Sequence, residues 1–213
     1  MSEVRTVLAE QYDNLEQQHE SSRLGLWLFL ATEVLFFGAL FLAYVVYRHA
    51  YPHEFALASR QTNLFLGTLN TAVLLTSSLT MALAVHAAQQ SRIRALLRFL
   101  AITFILGIGF LVIKALEYHE HFSDHLVPGA RFALATHPKA QLFFWLYFVM
   151  TGLHALHVTV GLGLIVILLR LSSKLRFSAD YYTPVEMGGL YWHFVDIVWV
   201  FLYPLLYLIN RQL

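Results

Sequence analysis

Five long apolar segments make up most of this 213-residue chain and limit the folds that it can adopt. They cover residues 24–47, 63–86, 95–116, 141–169 and 190–209. Each is long enough, as a helix, to cross the hydrocarbon core of a bilayer, which takes about 20 residues. With 58% hydrophobic and 13% charged residues, the chain is also too apolar for a soluble domain of this size. We therefore predict an all-α, polytopic membrane protein built as a single bundle of five transmembrane helices.

The connections between the segments indicate the domain organisation. All are short except residues 117–140, and we find no internal repeat, so we predict one membrane domain at residues 23–213. An acidic segment at residues 1–22 precedes it. Its apolar residues have the spacing of one helix face, which favours a short helix on a partner subunit or loop, with a frayed tail as the alternative. They are Val4, Leu8, Tyr12 and Leu15.

The Lys and Arg residues indicate the orientation, because cytoplasmic connections carry an excess of them. An odd number of spans places the two termini on opposite sides of the membrane. The excess is modest here and lies on the side that holds the N-terminus. We therefore predict a cytoplasmic N-terminus and a C-terminus on the outer, periplasmic side. No basic run is present that would favour a nucleic-acid partner.

Two of the segments carry acidic residues that are costly in lipid. Glu33 lies about 13 Å into the first helix at 1.5 Å per residue, near the middle of the membrane. Function is the usual reason for an intramembrane acid, and a neutral glutamic acid that hydrogen-bonds a neighbouring helix is the alternative. In the last segment His193 and Asp196 stand three residues apart on one helix face, which we expect Trp199 and Val200 to extend. We expect protein to cover that face, because its polar groups would cost several kcal/mol in hydrocarbon.

The fourth segment carries His154 and His157, one turn apart on the same helix face. They cannot both ligate one haem, whose two axial ligands approach from opposite sides, although a single haem ligand remains open. We expect both imidazoles to hydrogen-bond polar groups such as Glu33, Asp196 or His193. These five residues form the predicted intramembrane polar cluster, with a role in proton supply, lipid binding or structure.

The third segment ends near Lys114 and Glu117, a predicted boundary pair in which the two charges can pair or Lys114 can extend to the headgroups. Histidine and acidic side chains follow, but their spacing suits no regular tetrahedral metal site, and we expect a solvated polar loop. They are His119, Glu120, His121, Asp124 and His125. The chain has no cysteine, which excludes thiolate metal sites and iron–sulfur clusters. We predict no metal in this chain.

The second segment has a face of small, amide and apolar side chains. Such a face lets helices approach closely and hydrogen-bond one another, so we expect it to pack against neighbouring helices and not to contact a substrate. Its members are Asn63, Gly67, Asn70, Leu74, Ser77 and Met81.

Five motifs, in this order and on separate helices, resemble one known family. They are ATEVLFFGALF around Glu33, LNTAVLLTSS from Leu69, KALEYHEH from Lys114, FFWLYFVMTGLHALHV from Phe143 and YWHFVDIVWVFLYPLLYLI from Tyr191. They make the chain similar to subunit III of the haem-copper respiratory oxidases, the cytochrome c oxidase subunit III family, in its short five-helix bacterial form.

The resemblance implies a non-catalytic subunit of a terminal oxidase in the bacterial inner membrane. Such an oxidase couples aerobic electron transport to proton translocation. The implied partners are subunit I, which carries haem and copper and whose proton uptake this subunit supports, together with subunit II and a small subunit IV. The resemblance also implies bound phospholipid. It implies no redox cofactor in the chain itself.

One departure from the family and three other interpretations stay open. Long members have two further N-terminal helices that form a lipid-filled cleft with the other five, and residues 1–22 are too short to supply them. The chain could instead serve a quinol oxidase or a nitric oxide reductase, or act as a stand-alone proton-coupled transporter with its buried acids as a relay. The last interpretation lacks the inverted repeat and paired broken helices that are typical of transporters.

Overall fold

The computed structural model describes residues 15–129, 132–134, 136–173 and 182–208. Within these ranges the chain forms six α-helices and a closing π-helical turn: α1 Leu15–Ala50, α2 Pro52–Ser59, α3 Leu64–Gln89, α4 Ile93–Ser123, α5 Ala140–Ser173, α6 Thr183–Tyr203 and the π-turn Pro204–Leu208. Five of them, counting α6 with the π-turn as one, are long and apolar enough to cross a membrane. The predicted all-α bundle of five spans is therefore confirmed. The predicted helix face through Val4, Leu8 and Tyr12 lies outside the described residues.

The helices differ from the predicted segments at their ends. α4 continues past residue 116 to Ser123, because the charged residues that end the apolar segment are paired inside the bundle. The short helix α2 was not predicted and fills the connection after α1. It begins with Pro52, whose fixed backbone angle suits the first position of a helix, and buries Phe55 and Ala58.

α6 is the central helix of the described bundle. A larger share of it is buried than of any other span, and it packs against α1, α3 and α5. Its Trp192 lies where four helices meet, because Gly107 of α4 and Gly161 of α5 leave room for the indole: a Cβ at these glycines would lie 2.8 and 2.9 Å from the ring. The indole Nε1 donates to Ser77 Oγ of α3 at 3.1 Å. Trp192 therefore joins α3, α4 and α5 to α6.

The predicted packing face of α3 is buried from Gly67 to Met81, which confirms that it packs against neighbouring helices. α3 packs most extensively on α4 and then on α6. The buried members of the face are Gly67, Asn70, Leu74, Ser77 and Met81. Asn63 precedes the helix as its N-cap, and its side-chain oxygen accepts from the Leu66 N–H at 3.3 Å.

The predicted face of α6 was partly wrong. Trp199 and Asp196 are buried as expected, but Val200 is 44% exposed. At about 100° per residue, His193 and Val200 lie only about 20° apart on the helix, and both fall at the edge of its buried arc. That arc is centred on Trp192 and Trp199 and not on the polar pair.

Candidate functional site

Glu33 of α1 and His157 of α5 form a polar contact between two spanning helices. The Glu33 Oε2 lies 3.0 Å from the His157 Nε2, and the other ring nitrogen, Nδ1, donates to the Leu153 carbonyl oxygen at 2.8 Å. Phe37 packs edge-on against the imidazole, and the Tyr191 hydroxyl donates to the His157 carbonyl. Both side chains of the pair remain partly accessible, at 18% for Glu33 and 15% for His157. The pair therefore lies at the edge of the bundle and not in its core.

The Leu153 carbonyl determines where the protons of this pair lie. A carbonyl can only accept, so His157 Nδ1 carries a hydrogen. His157 Nε2 then either accepts a hydrogen from a protonated Glu33 or, in an imidazolium, donates one to the carboxylate. In both arrangements the contact is one hydrogen bond that joins α1 to α5.

His154, one turn before His157, does not make the expected hydrogen bond. Its ring is buried between Phe110 and Trp199, with ring centroids 5.4 and 5.1 Å away. Neither ring nitrogen has a hydrogen-bond partner among the described residues. The expectation of polar partners is met for His157 and not for His154, which packs as an aromatic ring.

The polar residues of α6 lie apart from this pair. His193 Nδ1 is 2.7 Å from the Ser78 hydroxyl of α3. Asp196 is buried, and the Ser78 hydroxyl, which contacts His193, also lies beside its carboxylate. Of the five residues in the predicted cluster, only Glu33 and His157 are joined by a hydrogen bond among the described residues.

A second polar centre lies between α4, α5 and the π-turn. The Lys114 ammonium donates to Glu117 Oε2 at 3.0 Å and to the hydroxyl oxygens of Tyr147 and Tyr207 at 2.9 and 2.8 Å. The Tyr207 hydroxyl in turn donates to Glu117 Oε1 at 2.6 Å. Lys114 is 3% exposed and Glu117 is fully buried. The two charges are thus paired across one turn inside the bundle, which confirms that predicted alternative, and Lys114 does not extend outwards. Their position at a membrane boundary stays a prediction.

Aromatic rings enclose the Lys114 ammonium. Its nitrogen lies between 4.6 and 5.5 Å from the centres of four rings, which belong to Tyr118, Tyr147, Trp199 and Tyr207. Cation–π attraction is strongest where water is excluded, and together with the carboxylate it offsets the cost of burying the charge.

The π-turn completes this centre because it is held from three helices. Tyr207 bonds Lys114 and Glu117 of α4, and its ring lies against Gly67 of α3, where a Cβ would be 2.8 Å from the ring. The Tyr44 hydroxyl of α1 donates to a carbonyl of the turn, that of Leu205, at 2.6 Å. π-Helical turns are rare and need such compensation for their altered backbone bonding.

The model of one protein family, described as cytochrome c oxidase subunit III, matches residues 8–210 of the chain. The chain belongs to the cytochrome c oxidase subunit III family. The family places it as an accessory subunit in a multi-subunit oxidase, and subunit III has no redox cofactor of its own. Together with the five apolar helices, this makes it a multi-pass membrane protein.

Individual members of the cytochrome c oxidase subunit III family match over most of the chain. The subunit 3 of Thermostichus vulcanus is 34% identical over 203 residues, which are 93% of this chain and 92% of that protein. The subunit 3 of Alkalihalophilus pseudofirmus is 33% identical over 88% of this chain and 86% of that protein. The subunit 3 of Struthio camelus is 33% identical over 87% of this chain and 68% of that protein.

For a subunit III chain, the sequence interpretation gave the pairing of Lys114 with Glu117 as one alternative and missed the burial of the pair and its tyrosine partners. A signal for it was present, because the buried face of α4 recurs at alternating steps of four and three residues and includes both charges. Its members are Leu96, Leu100, Thr103, Gly107, Phe110, Lys114, Glu117 and His121. Tyr147 and Tyr207 had no such signal, since aromatic residues occur throughout the spans.

The polar stretch after Glu117 is helical as far as Ser123, continues as a turn at Asp124 and His125, and is only partly solvated. His121 is buried against Phe144 and Tyr147, so the expected polar loop is wrong for this residue. The other predicted loop residues, His119, Glu120, Asp124 and His125, are exposed. The described residues contain no group of three or more His, Cys, Asp or Glu side chains placed to hold a metal ion.

Proposed function

We propose that this subunit is non-catalytic, stabilises the catalytic subunit of a proton-translocating haem-copper oxidase and supports its proton uptake. The observation that carries the proposal is the Glu33–His157 pair, in which Glu33 Oε2 lies 3.0 Å from His157 Nε2. The position of Glu33 along α1 puts the pair at about mid-membrane depth. An intramembrane ionisable pair is by default a functional site. This one holds a proton at the edge of the bundle, where a neighbouring subunit can reach it.

The proposed partners are subunit I, which carries haem and copper, subunit II and a small subunit IV. α1 supports an interface beside the pair, because it is the least buried span and exposes large apolar side chains on both sides of Glu33. These include Trp27, Leu28, Leu35 and Leu42. A helix that packs so little on its own bundle gains most from a partner or from ordered lipid.

Bound phospholipid is the second part of the proposal. A groove of about 500 Å³ runs between α1, α5 and α6, with apolar walls that include Phe29, Leu164 and Met187 and polar side chains such as Ser22 at one end. Its apolar lining suits an acyl chain. Leu164→Trp should fill the groove and lower the phospholipid retained by the purified complex by about one molecule, whereas Leu156→Trp on the exposed face of the same helix should not. Equal lipid content in both variants would remove this part of the proposal.

We further propose a bacterial inner-membrane location, with one membrane domain at residues 23–213 and a cytoplasmic acidic segment at residues 1–22. Arg92, Arg94 and Arg98 at the start of α4 support this orientation, because basic residues are retained on the cytoplasmic side. Since the chain has no cysteine, single cysteines at Ser2 and Gln212 can be labelled with an impermeant thiol reagent. They should react from opposite sides, Gln212→Cys from outside, and the reverse order would reject the orientation.

Purification in mild detergent tests the assignment as a helper subunit. The tagged chain should copurify with haem-bearing subunits, and after separation from them it should show no Soret band and no stoichiometric copper. A chain that purifies alone, colourless and homo-oligomeric would favour a stand-alone transporter. A Soret band or about one chelator-resistant copper in the isolated chain would contradict the non-catalytic role.

A further inference from the structure

Two histidines from different elements meet outside the spanning helices. His53 is the second residue of α2, and His137 lies in the turn that leads into α5. Their ring centroids are 5.9 Å apart and their planes are inclined by 45°. His53 is exposed and His137 is half-buried, so dissolved ions can reach both rings.

The protein scaffold fixes this pair. α2 is anchored by Phe55, which is fully buried and packs edge-on against Phe143 of α5 at 5.7 Å. Two backbone hydrogen bonds close the turn before α5, and both are 2.9 Å long. The His137 N–H donates to the Leu134 carbonyl, and the Ala140 N–H donates to the His137 carbonyl. The two imidazoles are therefore held at nearly fixed positions and not on free chain ends.

Nearby charges and hydrogen bonds leave the ring nitrogens available. No hydrogen bond from either imidazole to another side chain is found within the described residues. Two charged residues of opposite sign lie close in sequence: Glu54 directly follows His53, and Lys139 follows His137 after Pro138, with its ammonium 5.2 Å from the centre of the Tyr51 ring. Among the described residues, neither imidazole forms an ion pair with a carboxylate.

In place of the metal-free chain that the sequence predicts, we propose that His53 and His137 form a divalent-cation site that binds Zn²⁺, with water completing the coordination. Imidazole is the commonest protein ligand for such ions and suits zinc in particular. Two imidazoles that share one ion, with metal–nitrogen bonds of about 2.0–2.1 Å, have ring centres roughly 5–6 Å apart. The observed 5.9 Å falls in that range. A bound ion would connect α2 to the segment before α5 and so stabilise this end of the bundle.

Equilibrium dialysis of the purified oxidase complex against Zn²⁺, after a chelator wash, tests the site. The wild-type complex should hold one zinc more than His53→Gln or His137→Gln, and zinc should raise the temperature at which the subunit leaves the complex only in the wild type. His119→Gln, which removes an exposed histidine of α4, should behave as the wild type. His53→Cys should retain the zinc, because a thiolate replaces the imidazole as ligand.

Haem content and subunit composition show whether each variant has assembled. In assembled variants, equal zinc binding by the wild type and both Gln variants would overturn the proposal. Loss of the zinc in only one of the two would also overturn it, because the ion would then have a different second ligand.

Discussion

The Lys114–Glu117 pair gives the sharpest stability prediction. Two unit charges 3.0 Å apart attract by roughly 5–6 kcal/mol at an effective dielectric constant of about 20. Removing one partner of a buried pair leaves the other charge uncompensated, which typically costs about 3–5 kcal/mol. Glu117→Gln and Lys114→Met should therefore each lower the free energy of unfolding by about that amount.

The double variant tests whether the cost comes from the unpaired charge. Lys114→Met with Glu117→Gln removes both charges, keeps similar volumes and leaves an amide oxygen to accept from Tyr207. Its cost should be below the sum of the two single costs by about 2–3 kcal/mol. Lys139→Met is the matched control, because that residue is exposed and its ammonium lies over the ring of Tyr51, a contact that should contribute about 1 kcal/mol or less.

Unfolding of the solubilised chain can be followed by tryptophan fluorescence, since the Trp199 ring centre lies 5.2 Å from the Lys114 nitrogen. Two results would contradict a buried, interacting charge pair. Single variants within about 1 kcal/mol of the wild type would show that the charges are not desolvated, and strictly additive costs would show that they do not interact.

Substitutions at close helix contacts should separate packed from open positions. Gly67→Ala places a Cβ 2.8 Å from a buried ring and should cost about 1–3 kcal/mol, whereas Gly38→Ala, with no atom within 4 Å, should cost less than about 0.5 kcal/mol. Equal losses on thermal unfolding would argue against that contact. Trp192→Phe removes the hydrogen bond to Ser77 and should cost at least about 0.5–1.5 kcal/mol, and Trp145→Phe on the exposed surface is its control. Identical melting curves for the two tryptophan variants would contradict the central position of the first.

The number of spans and the packing face of α3 could be predicted because both depend on local sequence. Length and hydropathy indicate a spanning helix, and helical spacing indicates which residues share a face. The proposed link between Glu33 and His157, which are 124 residues apart, also had a physical basis, since two polar side chains deep in apolar helices need partners.

The buried charged centre could not be predicted in the same way. Lys114 was placed at a boundary because hydropathy treats each residue singly, and a charge normally ends an apolar segment. Its partners Tyr147 and Tyr207 are 33 and 93 residues away, and only the folded bundle brings them together. His154 shows the converse, because its spacing from His157 suggested a polar role while its surroundings are aromatic rings.

Glu33→Gln is the variant that isolates the proton from the hydrogen bond. The glutamine amide can still donate to His157 Nε2, so the contact at 3.0 Å can persist while the titratable proton is lost. Glu33→Ala removes the contact as well and should weaken attachment of the subunit, because an unpaired polar group costs about 1–3 kcal/mol.

The most direct test of the account is the rate of proton uptake by the intact oxidase during turnover, measured with wild-type and Glu33→Gln subunit III. If the Glu33–His157 pair supplies protons, the variant should show slower proton uptake and faster inactivation during turnover, with unchanged haem content and oxygen binding. A Glu33→Gln enzyme that takes up protons, pumps and survives turnover as the wild type does would contradict a role for this pair in proton supply.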